Sequence, residues 1–323
     1  MTTSHDVSWV LDDISMEGTV VRPDGEGPFP GVVLVAGSGP TDRDWCSPLL
    51  PGTNGSARLF AEALAEAGIA SLRYDKRASG PHMMENVPRL VGAMSMRSHL
   101  DELVAAVRTL AAQDFVDETR IAGLGNSEGT LHVLHHATRA QEPALVGLVL
   151  AAPPGRPIQD VVLSQLALQL VGAPDGESVM ASVQEAAARY ASGGSMDPDP
   201  SLPEGVRMVL AAFDVPGNLP FARELWVESA TDSLREVHVP TLVLIGGQDL
   251  QIDLHADGDP LQEAAAGLPH VTFAFPPHAN HVFKEELRSR EEILAAPDYN
   301  APGTRLDPEA LDTILTWLAA VLR

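Results

Sequence analysis

The stretch Arg120-Ile121-Ala122-Gly123-Leu124-Gly125-Asn126-Ser127-Glu128-Gly129-Thr130 decides the fold. Arg120 to Leu124 reads as a buried strand, and a helix is expected from about Glu128 to Ala140. Between them Gly125-Asn126-Ser127-Glu128-Gly129 fits the pattern G-x-S-x-G. Such a pentapeptide occurs often enough by chance that the string alone is weak; its place between strand and helix makes it specific. A serine at the tip of such a turn occupies strained backbone, and side chains two residues to either side would collide. Gly125 and Gly129 remove those collisions. The Ser127 hydroxyl then stands exposed, and the following helix aims its first amides at developing negative charge. The competing reading is an ordinary glycine-rich strand-to-helix turn.

Working outward, short β-branched runs alternate with amphipathic ones. Val32 to Val35 and Ile69 to Tyr74 read as strands, Ala57 to Ala67 and His99 to Ala112 as helices, and Val146 to Leu150 as a further strand. The pattern stops at Pro153-Pro154 and resumes with Thr241 to Ile245, Val271 to Phe275 and a last helix from Pro308 to Leu322. Apolar strands separated by helices predict an α/β fold with a mostly parallel central sheet flanked by helices. Residues 1–153 and 237–323 are expected to form this core. Residues 154–236 show no clear strand and are expected to form a helical cap insertion, with helices over Val161 to Val171, Val179 to Tyr190 and Phe221 to Ala230.

Composition narrows the function classes. The 323 residues are 45% hydrophobic and carry 21 Lys+Arg against 44 Asp+Glu, a net charge of −23. That field repels a phosphate backbone or an acidic membrane surface, so nucleic-acid and membrane partners are not expected. Lys76 and Lys284 are the only lysines; every other cation is Arg. A single cysteine, Cys46, forbids an intrachain disulfide and a Cys-rich zinc site. No run approaches the length of a membrane span, and the first residues lack the basic and apolar regions of a signal peptide, so a cytoplasmic location is expected.

A serine of ordinary acidity needs a base, and the base needs an orienting carboxylate. On a sheet of this kind the chain order is Ser, acid, His, with acid and base on loops after strands. Asp249 follows the strand ending at Ile245, and His281 follows the strand ending at Phe275. Asp253 competes with Asp249, and His278 with His281; His255 and His270 read as surface residues. The oxyanion hole needs two backbone N–H donors. Glu128 is the expected source of one, and Ser38 in Gly37-Ser38-Gly39-Pro40 of the other. Arg43, between Asp42 and Asp44, either orders that loop or meets an anionic substrate. His132, His135 and His136 lack a third ligand at metal spacing and read as packing or solvent-facing residues, so no metal or organic cofactor is expected.

These residues resemble the α/β-hydrolase superfamily, and more narrowly bacterial serine esterases of the dienelactone-hydrolase and prolyl-oligopeptidase type. The resemblance rests on Gly37-Ser-Gly-Pro-Thr-Asp-Arg-Asp44, Arg73-Tyr-Asp-Lys-Arg77, Gly125-Asn-Ser-Glu-Gly129, Asp249-Leu-Gln251 and Asn280-His-Val-Phe283, in that order. It implies the α/β-hydrolase fold and a triad of Ser127, Asp249 and His281, and it favours Asp249 over Asp253 and His281 over His278. Three positions depart from the group: Ala36 and Asn126 stand where His is usual, and Thr130 replaces a common second Gly. Asn126 is therefore expected at the pocket wall, against substrate. The implied activity is hydrolysis of small-molecule carboxylic esters through an acyl-enzyme, falling as pH drops and His281 is protonated. A peptidase or acyl thioesterase with the same triad is the nearest alternative, and a catalytically silent binding protein a more distant one.

Overall fold

The strands that read as unbroken apolar runs are buried on both faces, as parallel strands between two helical layers must be. In a computed structural model that describes residues 2–48, 52–140, 142–296, 301 and 303–323, eight strands form one sheet. They are β1 (Thr3–Leu11), β2 (Ile14–Arg22), β3 (Phe29–Val35), β4 (Ala70–Tyr74), β5 (Val116–Asn126), β6 (Leu148–Ala151), β7 (Thr241–Leu244) and β8 (Val271–Ala274). Their order across the sheet is β1-β2-β4-β3-β5-β6-β7-β8. From β4 to β8 every neighbouring pair is parallel. β1 and β2 form an antiparallel hairpin at one edge, β2 pairing in turn with β4. Asp12 and Asp13 turn that hairpin with φ of 52° and 61°, the two positive values a tight hairpin turn requires.

The helices are α1 (Ser56–Glu66), α2 (Met83–Asn86), α3 (Met96–Ala111), α4 (Glu128–Arg139), α5 (Ile158–Gln169), α6 (Gly176–Ala191), α7 (Glu204–Ala212), α8 (Phe221–Trp226), α9 (Ala230–Glu236), α10 (Gly258–Ala264), α11 (Arg290–Ala295) and α12 (Pro308–Val321). Local sequence sets several of their ends. Ser95 and Ser98 cap α3 reciprocally, and Asp307 caps α12 with Pro308 in its first turn. The main core lies between the sheet and its helices, from Val32, Leu34 and Leu124 through Leu103 and Leu134 to Ile314.

Between β6 and β7 the chain is helical, as expected, with a hydrophobic cluster of its own formed by Leu166, Val183, Tyr190, Leu210 and Trp226. The helix expected over Phe221 to Ala230 ends at Trp226, as α8, and a second one, α9, starts at Ala230. At the break, Ile158 N–H donates to Glu228 O (2.9 Å) and Ala230 N–H to Pro154 O (2.8 Å). These bonds close the helical segment at its base, and the Ala230 and Leu234 side chains of α9 return to the main core. Asp257 secures the same base: its buried carboxylate accepts from the Gly155 amide (3.1 Å) and from the Arg156 guanidinium (2.9 Å).

Candidate active site

β5 ends at Asn126, and the chain turns into α4 through Ser127, whose φ of 54° and ψ of −123° are sparsely populated for any L residue. The glycines make that turn possible. A Cβ on Gly125 would stand 2.3 Å from Gly129 O, and one on Gly129 2.5 Å from Val35 O. The turn is pinned by Ser127 N–H donating to Ala151 O (2.8 Å) and by the Thr130 N–H donating to Ser127 O (3.0 Å). Thr130 also bonds the Ser127 carbonyl through its hydroxyl.

Asp249 and His281 are brought into direct contact. His281 Nδ1 lies 2.8 Å from Asp249 Oδ2, with both side chains buried. The other carboxylate oxygen, Oδ1, accepts from the Gln251 (2.7 Å) and Ile252 (3.0 Å) amides, which fixes the plane of the acid. A carboxylate only accepts, so Nδ1 of His281 is the donor here, and in the neutral ring Nε2 keeps its lone pair. The two loops can approach because Gly246 and Gly247 have no side chains: a Cβ on Gly246 would stand 2.1 Å from Ala279 O. Asn280 shapes the turn that presents His281, its Oδ1 accepting from the Val282 (3.1 Å) and Lys284 (2.9 Å) amides. Asp253 instead caps its own loop through the His255 (3.0 Å) and Ala256 (2.9 Å) amides, and His278 is exposed.

Ser127 is joined to this pair through its neighbour. Asn126, expected against substrate, is buried at 3% exposure. Its Nδ2 donates to His281 O at 3.1 Å, so it holds the histidine loop against the end of β5. On the opposite side Gly37 packs on the serine, with the position of a Cβ only 3.3 Å from Ser127 Cβ. The Gly37–Ser38 peptide and Glu128, the two expected sources of amide donors, therefore both border Ser127. The Ser38 amide has no acceptor among the described residues, and its carbonyl accepts from Thr41 Oγ1 at 2.7 Å.

Of the two readings of Arg43, the structure takes the ordering one. Its Nε bonds Asp75 Oδ2 (2.7 Å), Nη2 bonds Glu17 Oε2 (2.7 Å), and Nη1 reaches Thr19 Oγ1 (3.2 Å). The backbone amide of Arg43 donates to Asp75 Oδ1 as well (2.7 Å). A guanidinium so committed ties the loop after β3 to β2 and β4 and leaves no fork for an anionic substrate.

Behind the elbow lies a buried set of ionisable groups, of which the sequence reading took His132 as a packing or solvent-facing residue. Glu128 Oε1 is 3.4 Å from Lys76 Nζ and 3.2 Å from His132 Nε2, and His132 stacks on His99 with ring centroids 4.6 Å apart. Burial works against the Glu128 carboxylate, but the Lys76 ammonium and His132 outweigh it and hold its carboxyl well below the usual range. Burial pushes the His132 imidazole down to about 4 against the pull of Glu128, and burial alone does the same to His136. Neither ring nitrogen of His136 has a partner among the described residues.

An acid-sensitive fold follows from these two histidines. Unfolded, they titrate near 6.5; folded, near 4. Between those values the unfolded chain binds more protons, so stability present at neutral pH is lost as pH falls through the window. Calorimetry should show Tm declining from pH 7 to pH 4.5, with a shallower decline in His136→Leu. An equal slope in both proteins would remove His136 from the cause.

A family model described as the alpha/beta hydrolase family matches residues 32–295. Esterase EstD of Thermotoga maritima is 27% identical over 304 residues, which is 94% of this chain and 65% of that protein. The quorum-quenching protein AidA of Acinetobacter baumannii is 29% identical over 150 residues, 46% of this chain and 43% of that one. The chain thus spans less than two thirds of the length of either curated relative. Among solved structures, the Pyrococcus furiosus esterase Pf2001 superposes over 99% of this chain and 92% of its own with a TM-score of 0.57. At 16% identity that likeness speaks for the fold alone. The family match, running from β3 through the helical segment to α11, and the strand order beneath it together make this chain a member of the alpha/beta hydrolase family.

Proposed function

We propose that the chain hydrolyses carboxylic esters through an acyl-enzyme on Ser127. The observation that carries this reading is the His281–Asp249 hydrogen bond of 2.8 Å, on a loop that Asn126 anchors beside the elbow. Support comes also from the similarity to EstD, a protein named as an esterase. In this reading Nε2 of His281 takes the proton of Ser127 Oγ as that oxygen bonds the ester carbonyl carbon. The carbonyl oxygen, now carrying the negative charge, receives hydrogen bonds from the Ser38 and Glu128 amides. As the C–O bond to the leaving alcohol breaks, His281 returns the proton to it. Water, deprotonated by the same imidazole, then releases the acid and restores Ser127.

Asp249 keeps the imidazole in the tautomer this cycle needs and stabilises the imidazolium formed in each half. The residues after β6, 154–236, act as a cap over the substrate, with their self-contained cluster in α5 to α8. We read the five motifs along the chain as support for a member of the dienelactone-hydrolase and prolyl-oligopeptidase type group, acting on small-molecule esters. Among the described residues no helix is long and apolar enough to cross a membrane, and we take the cytoplasm as its location.

Initial rates on a series of p-nitrophenyl esters of increasing acyl length, with an acyl-CoA and an aminoacyl anilide beside them, test the bond type. Ester turnover exceeding that of the anilide and the thioester is the expected result, and its length optimum sizes the acyl pocket. Preferential cleavage of the anilide or the acyl-CoA would replace the ester reading.

A further inference from the structure

Lys76 stands out among the groups that the reaction does not use directly. It is one of two lysines in a chain whose other cations are all Arg, and it is 4% exposed just beyond the end of β4. Its Nζ donates to the Gly37 carbonyl oxygen and lies 3.4 Å from Glu128 Oε1. One buried ammonium thus touches both residues that border Ser127 as sources of amide donors: the peptide before Ser38, and Glu128 itself. Lys284, the other lysine, is also buried, with its ammonium on the Thr304 carbonyl. Both lysines of this chain are thus buried with the ammonium on a backbone carbonyl.

The geometry of a trans peptide gives the Gly37 contact its consequence. The C=O of residue 37 and the N–H of residue 38 lie in one plane and point in opposite directions. Drawing the carbonyl to Lys76 therefore turns the Ser38 N–H the other way. Thr41 Oγ1 holds the next carbonyl, that of Ser38, at 2.7 Å, so the peptide planes on both sides of Ser38 are held. A cation on a peptide oxygen also polarises the peptide and strengthens its N–H as a donor. Glu128 compensates the charge locally, so the ammonium orients the amide without leaving an unpaired cation beside the serine.

We propose that Lys76 is a positioning residue of the oxyanion hole: its ammonium, paired with Glu128, holds the Gly37–Ser38 peptide so that the Ser38 amide donates to the substrate oxyanion. The inference rests on the Ser127 acyl-enzyme reading. Lys76→Met alone would leave the Glu128 carboxylate buried without its cation, so the test is the double variant Lys76→Met/Glu128→Gln, which removes both charges and keeps both shapes and the Glu128 amide. Its kcat on a p-nitrophenyl ester should fall about 10- to 100-fold, less than loss of a whole donor, with KM within about twofold. A trifluoromethyl ketone adds to Ser127 as a hemiketal oxyanion, and its Ki should rise by the factor by which kcat/KM falls. The chain-matched alcohol, which forms no oxyanion, should keep its Ki.

A double variant that folds with unchanged kcat and ketone affinity overturns the proposal. One that no longer folds does so too, since it gives Lys76 a purely structural role. Ser127→Ala, assayed alongside, separates the two levels. Turnover and ketone binding that survive it remove the acyl-enzyme reading and this inference together, whereas an inactive Ser127→Ala beside an unaffected double variant removes the inference alone.

Discussion

Ser127→Ala should lower kcat/KM for ester hydrolysis by about 10⁴-fold or more, with an unchanged circular dichroism spectrum and a Tm near that of the wild type. The turn at residue 127 is held by its backbone bonds to Ala151 and Thr130, and alanine retains them all. Only Oγ is lost. The residual rate would come from the amides of Ser38 and Glu128 and from substrate binding, which do not depend on the nucleophile. A variant that keeps more than a tenth of wild-type activity would mean that the elbow holds an ordinary serine and that another group attacks the ester.

Asp249→Asn should cost about 10⁴-fold in kcat with little change in KM. The side-chain oxygen can still accept from the Gln251 and Ile252 amides, now bonded to Asp249 Oδ1, so the loop keeps its shape. The amide nitrogen then faces His281 Nδ1 as a donor. That forces the ring proton onto Nε2, where it blocks acceptance of the Ser127 proton. Steady-state kinetics checks this, with Asp253→Asn as the contrast. Asp253 caps its own loop and lies 3.9 Å from the Arg290 guanidinium, and its variant should stay within about threefold of wild type. A large loss in Asp253→Asn with a small one in Asp249→Asn would exchange their roles.

The parts of the fold legible in the sequence are those whose cause is local. Gly125 and Gly129 are demanded by contacts within the elbow and the strand beside it, and the apolar runs within β3, β6 and β7 mark buried parallel strands. Helix α12 is legible from Pro308 onward, whereas α3 is legible by its period from His99 but begins three residues earlier, at Met96. β1 is an edge strand, mostly exposed, with no apolar run to mark it; its signals are the alternation of Val7, Trp9 and Leu11 and the Asp12-Asp13 turn. The split between α8 and α9 comes from bonds to residues 154 and 158, some seventy positions away, which a helical periodicity cannot contain.

The site divides along the same line. The order of Ser127, Asp249 and His281 follows from the strand pattern, and the paired loops need Gly246 and Gly247 for close approach. What Arg43 and Asn126 do depends on partners far along the chain: Glu17 and Asp75 for one, the His281 carbonyl for the other. From sequence Arg43 has two readings, ordering its loop or meeting a substrate, and Asn126 reads as a substrate contact, because neither set of partners is near in the chain. Lys76 left a compositional trace, the rarity of lysine in this chain, but its bond to Gly37 joins two strand ends that only the folded sheet brings together.

The most direct measurement is peptide mapping by mass spectrometry after labelling the folded protein with a fluorophosphonate, with ester turnover followed in the same sample. A single adduct on Ser127, formed as activity disappears and absent from Ser127→Ala, is the expected result. An adduct on a different residue, or full turnover in protein already labelled at Ser127, would contradict the acyl-enzyme reading.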